Sequence, residues 1–214
     1  MTNYEELFVL SGMLEDKYEL HIGEDSERLI AAARGETSAL DPRPTCSWAS
    51  KGEGPEPDLV RTDLIPVWAL SETAVDALSN LTGWKPVVLA ENPVGGTKSS
   101  KRYSVLSITG RAGPVDPTRS EIRNGDDQDS EMVGLYFRDD YWDGSDIFVL
   151  KESAFLIFVT DKARSAIGAL TQGHITPTFT RLSEFRQHPL GMQSLIERQV
   201  ADGLGTEEWK WGKY

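Results

Sequence analysis

Residues 70–82, LSETAVDALSNLT, return 89 positions later (159 − 70) as residues 159–171, VTDKARSAIGALT. Ala74, Ala77, Leu81 and Thr82 recur as Ala163, Ala166, Leu170 and Thr171, and Leu70, Ser71 and Glu72 face the chemically similar Val159, Thr160 and Asp161. In each copy an apolar run of strand type meets a hydroxyl residue suited to cap a helix, and the acid that follows lies at the positive end of the helix dipole. The apolar residues then recur at helical spacing, so Leu70, Ala74, Leu78, Leu81 and Val159, Ala163, Ile167, Leu170 are expected to turn inward on one face of each unit. Gly83 and Gly173 stop the two helices, and strands follow at about residues 86–90 and 178–182. A strand–helix junction of this kind is common, and four identities in thirteen positions arise without ancestry. The repeat is therefore tested by where those eight side chains lie.

The expected fold class is α+β: a mixed sheet system with two strand–cap–helix–strand units and a C-terminal helix. Residues 4–10 and 18–22 read as strands about a turn at Ser11 and Gly12, followed by a helix over 26–34 that Gly35 ends. Residues 41–58, DPRPTCSWASKGEGPEPD, hold four of the eleven prolines and read as a linker or long loop. The organisation is then an N-terminal strand and helix segment (1–40), a Pro/Gly-rich loop (41–60), the repeat-bearing region (61–182), and a helix near 190–201 with an aromatic tail (183–214), all within one domain. At 214 residues the chain can bury a substantial core.

The net charge of −12 opposes the phosphate contacts that dominate nucleic-acid binding and opposes docking on anionic lipid. It favours a basic protein partner, whose encounter it would steer. The first residues lack the basic, apolar order of a secretory signal, no apolar run reaches the roughly 20 residues of a membrane span, and Cys46 is the single cysteine. The expectation is a cytoplasmic protein that binds neither nucleic acid nor membrane.

Catalytic signatures fail on spacing. The loop 93–101, PVGGTKSSK, has the glycines and lysine of a phosphate cradle but lacks the G-x-x-x-x-G-K-[ST] order, and is read as a flexible hairpin loop. In the acidic run 124–131, Met132 and Arg138 stand where a calcium loop needs glycine and glutamate. His21, His174 and His188 are scattered beyond metal-ligand spacing. Neither G-x-S-x-G nor H-E-x-x-H occurs. The reading is a non-enzyme with no cofactor and no metal. The alternative is a small hydrolase-like enzyme with a carboxylate site near Asp116 or Asp139, and a third reading is an acidic mimic of nucleic acid.

The stretches ALSETAVDAL, RYSVLSITGRAGPVDPTRSEI, SDIFVL and FLIFVTDKARSAI follow one another in an order that resembles immunity-protein family eleven of bacterial polymorphic toxin systems, over about residues 63–182. The family's usual end lies near Leu182, whereas this chain continues beyond it and its first 60 residues match little. The resemblance implies a protein made beside a toxin, which binds the toxic domain and blocks it without chemistry of its own. Residues 121–146 carry nine acids and two bases, −7 of the total charge. Within and beside this run, Asp126, Asp127, Asp129, Glu131, Asp139, Asp140, Tyr141, Trp142 and Asp143 are the expected partner-binding residues, with carboxylates to steer a basic toxin domain and aromatic rings to anchor it. The plainer reading is an acidic turn whose rings fold inward, and this is favoured for Trp142 taken alone.

Overall fold

The computed structural model describes residues 3–12, 18–23, 26–36, 42–64, 67–91, 97–123, 131–150, 153–170 and 177–187. The fold is α+β, as expected, with two larger sheets. One runs in the order β14 (Pro177–Arg181), β1 (Leu7–Gly12), β13 (Ser153–Thr160), β12 (Ile147–Leu150), β9 (Gly110–Ala112), antiparallel except for the β12–β9 pair. The other runs β4 (Leu59–Arg61), β5 (Trp68–Ser71), β8 (Tyr103–Ile108), β6 (Trp84–Val88), antiparallel throughout. Two smaller sheets join β2 (Tyr18–Gly23), β3 (Thr45–Lys51) and β7 (Ala90–Glu91), and β10 (Glu121–Arg123), β11 (Glu131–Val133) and β15 (Arg186–Gln187). The helices are α1 (Ser26–Ala33), α2 (Glu72–Ala77) and α3 (Asp161–Ala169).

Both repeat units form as a strand feeding a capped helix. The Ser71 hydroxyl accepts the Ala74 N–H (3.2 Å) and the Thr160 hydroxyl accepts the Ala163 N–H (3.3 Å), each satisfying an amide that has no partner within its helix. All eight expected inward residues are buried, and they share one core with Phe8, Leu10, Leu106 and Ile108. Side chains alternate across a strand, so the same strands feed other cores from their opposite faces. Ala69, Val60 and Val105 pack with Leu29 and Ala32 of α1, while Val9, Phe148 and Phe158 pack with Leu135 and Phe137. The repeat extends beyond what the sequence showed, because the order β12-β13-β1-β14 matches β4-β5-β8-β6.

Several elements depart from the sequence reading. Helix α2 ends at Ala77 rather than near Leu81. The Ser79 N–H and hydroxyl both bond to the Asp76 carbonyl, and the Leu81 N–H bonds to that of Leu78, so three-residue turns replace the helical ladder while Leu78 and Leu81 stay buried. Gly83 then turns the chain at φ +86°. The segment read as a loop over 41–60 contains β3, the central strand of its sheet, and the start of β4. The prolines at 42, 44, 55 and 57 flank TCSWASK without entering it, and proline bars a strand only where it stands. Residues Tyr4–Glu6 form a short 3-10 turn, and β1 runs through Ser11 and Gly12 to join a different sheet from β2, so the two are not a hairpin. Gly173, the helix expected near 190–201 and the aromatic tail lie outside the described residues.

Candidate partner-binding surface

After β11 the chain passes through Gly134 at φ +87°, reaches the buried Leu135 and Phe137, and makes a short turn over Asp139–Tyr141 before entering β12. This turn covers the exposed edge of the larger sheet. The Arg111 N–H of β9 donates to the Asp143 carboxylate (2.8 Å) and the Asp143 N–H to the Arg111 carbonyl (3.1 Å), which closes strand edge groups that would otherwise invite another chain. Gly113 makes room for it, because a Cβ there would lie 1.9 Å from that of Tyr141.

The nine expected binding residues divide by their surroundings. Asp126, Asp127 and Asp129 lie outside the described residues. Glu131 is half-buried and meets Arg186 at 3.2 Å. Asp139 is half-buried and accepts the Tyr4 hydroxyl (2.8 Å), which also reaches the Phe137 carbonyl. Burial, with the Asp139 carboxylate beside it, raises the Tyr4 phenol well above its ordinary pKa. Trp142 turns inward: its ring stands 5.4 Å from Phe148 and 6.3 Å from Phe137, on the rim of the core. Asp143 is exposed, although its oxygens also serve the Arg111 and Ser145 amides.

Asp140, Tyr141 and Asp143 are left on the surface. Tyr141 is 43% exposed, and Val88 is the other exposed large hydrophobic residue among those described. Sequence reasoning missed Arg138, whose guanidinium forks onto the Asp140 carboxylate (3.2 and 2.7 Å) and lies 4.6 Å from the centre of the Tyr141 ring. The Arg–x–Asp–Tyr spacing of RDDYWDG carries that signal. It sets the Arg138 guanidinium over the tyrosine ring.

Several other chemistry-bearing residues among those described are committed elsewhere, and His174 and His188 lie outside the described residues. Asp116 accepts the Thr118 N–H and hydroxyl, closing a local turn. His21 pairs with Asp63, and no group of three or more metal-ligating side chains is found among the described residues. In the loop 93–101, of which residues 93–96 lie outside the described ones, Ser99 and Ser100 hold an anion, the chain's own Glu56. The buried carboxylate accepts the Ser100 N–H (2.8 Å), the Ser99 and Ser100 hydroxyls (2.7 and 2.9 Å) and the Lys51 ammonium (2.9 Å). Burial alone would raise its pKa, but the bonds from Lys51, Ser100 and Ser99 outweigh this and hold it at about 2. Nothing in the spacing of residues 56 and 97–101 announces that contact.

No family model and no curated protein matches this chain. No helix among the described residues is long and apolar enough to cross a membrane.

Proposed function

We propose that the protein acts by binding and not by catalysis, as an immunity-type protein whose turn at Asp140, Tyr141 and Asp143 holds a basic toxin domain. The observation that supports this most directly is Tyr141, a large aromatic ring kept at the surface by a glycine beneath it and an arginine beside it, between two exposed carboxylates. An aromatic anchor ringed by steering charge is what an interface with a cationic partner uses. The order of the sequence stretches that resemble the immunity family and the net charge of −12 agree with it.

The test is the toxic domain encoded beside this chain, purified and mixed with the full-length protein, with its toxic activity and binding rates measured at low and high salt. The expected result is loss of toxic activity in a stable complex whose association slows as salt rises. A toxic domain that stays active and unbound would overturn the proposal.

A further inference from the structure

The repeat can be followed strand by strand through the register. Leu59 faces Leu70 as Ile147 faces Val159. Ser104 lies between Leu70 and Val88, just as Phe8 lies between Val159 and Arg181. The two sides of the central strand give the same alignment: Trp84 faces Ile108, and Pro177 faces Gly12. On this alignment Val9, Leu10 and Ser11 of β1 fall on Val105, Leu106 and Ser107 of β8, three identities in a row. The equivalent pairs are β1 and β8, β4 and β12, β5 and β13, β6 and β14, with α2 matching α3, and the order along the chain is the same in both sets.

The central strands are in the opposite places from those that this order would give. β1 opens the first set but lies in the sheet of the second, between β13 and β14. β8 opens the second set but lies in the sheet of the first, between β5 and β6. Each half is completed by the other half's leading strand.

We infer that the chain is a tandem pair of one unit with its leading strands exchanged, and that the slot between β13 and β14 also accepts β1 from a second copy of this chain, giving a strand-exchanged dimer. The slot is built to receive a strand delivered from another unit, because its counterpart between β5 and β6 already does so. Among the described residues the element before β1 is the short turn Tyr4–Glu6, which would move with it, whereas β8 is held between β7 and β9, each paired in another sheet. Every contact β1 makes within one molecule, from the Leu7–Thr160 pair to the Gly12–Pro177 pair, would be remade in the dimer. The exchange therefore costs little beyond the entropy of association.

The side chains of Ser11 and Thr178 face each other across β1 and β14 with their oxygens 2.7 Å apart, which places a crosslink where it reads the exchange. Full-length S11C/T178C, kept reduced, is loosened in denaturant at high concentration, returned to native buffer and separated by size. The dimer and monomer fractions are then oxidised and run without reductant, and the linked peptides are identified by mass. The expected dimer is covalent, joined between chains through the two introduced thiols. Variant protein oxidised as a monomer beforehand should be locked and yield no dimer. Dimers whose crosslinks lie within single chains, or the absence of dimers in both the reduced variant and the unmodified protein, would overturn the inference. Unmodified protein in light and heavy isotope forms, loosened together, gives a second reading that does not depend on the variant's folding. Mixed-mass dimers are expected, and dimers of unmixed mass after joint loosening would count against exchange.

Discussion

Asp58 and Asp146 occupy equivalent positions, each just before the strand that pairs with a helix-feeding strand. Their backbone carbonyls accept the Ser71 and Thr160 N–H groups at 2.8 and 2.9 Å, and their carboxylates accept the hydroxyls of the same residues at 2.7 and 3.2 Å. Each also holds a lysine, Lys101 at 2.7 Å and Lys162 at 3.0 Å, brought in from different parts of the chain. A Ser–Asp–Lys group met once could suggest catalysis. Here the hydroxyl is Ser71 in one unit and Thr160 in the other, and both groups tie a hairpin to the helix it feeds.

Removing either carboxylate should loosen that joint. Asp146 also accepts the Thr82 N–H and hydroxyl (3.0 and 3.2 Å), so Asp146→Ala should cost more than Asp58→Ala, on the order of 3 kcal/mol against about 2. Denaturant midpoints of the two variants and the parent check the order.

Acid should undo the same groups. Burial opposes ionisation of Asp58 and Asp146, but their hydrogen bonds and lysines hold both pKa values below the usual carboxylate range, and Glu56 is held at about 2. Groups with lowered folded-state pKa values stabilise the fold above their unfolded values and lose that contribution as pH falls through the folded ones. Stability should therefore fall from about pH 4.5 towards about pH 2, and the fall should be shallower in Glu56→Gln. Unfolding curves across that range measure it.

Replacing the caps should cost about 1 kcal/mol for Thr160→Ala and up to about 2 for Ser71→Ala, because both hydroxyls also donate to an aspartate but Ser71 is fully buried and makes the shorter bond, 2.7 against 3.2 Å. Thermal melts of the two variants that match the parent would count against both caps.

Gly83 is fixed by shape. Its φ is +86°, and a Cβ would stand 2.1 Å from the Ile147 carbonyl oxygen. Gly83→Ala should cost several kcal/mol, well beyond the roughly 1 kcal/mol of the backbone conformation alone. A loss of 1 kcal/mol or less would mean that β12 yields easily at that point.

The strand–cap–helix units were legible because their rules are local: a hydroxyl, an acid and an apolar period within a dozen residues. The partnership of β1 with β8 was not, since a shared Val-Leu-Ser is too short to stand out from any other apolar strand until the register aligns it. β3 was obscured by composition counted over a window that its flanking prolines dominated. At the candidate site the residue types were legible but their directions were not. Tyr141 stays outward because Gly113 leaves room beneath it, and Asp139 is drawn to Tyr4 from 135 residues away. Such contacts are properties of the folded chain.

The neighbouring aromatic residues should separate binding from stability. Tyr141→Ala should leave the thermal melt within error of the parent and shorten the lifetime of a toxin complex by a cost on the order of 2 kcal/mol. Trp142→Ala, which removes a ring packed on Phe137 and Phe148, should lower the melting temperature whether or not a partner is present. Equal melts for the two variants would contradict their different burial.

Reciprocal completion also sets a timetable. When β1 leaves the ribosome, its apolar run Leu7, Phe8, Val9 and Leu10 has no strand to pair with until β13 and β14 are made. At about 5–20 residues per second, synthesis of residues 13–181 takes on the order of 10–30 s. For that interval the run Leu7–Leu10 lacks both of its partner strands. Although it is made before both of its partner strands, β1 is among the last to find its place.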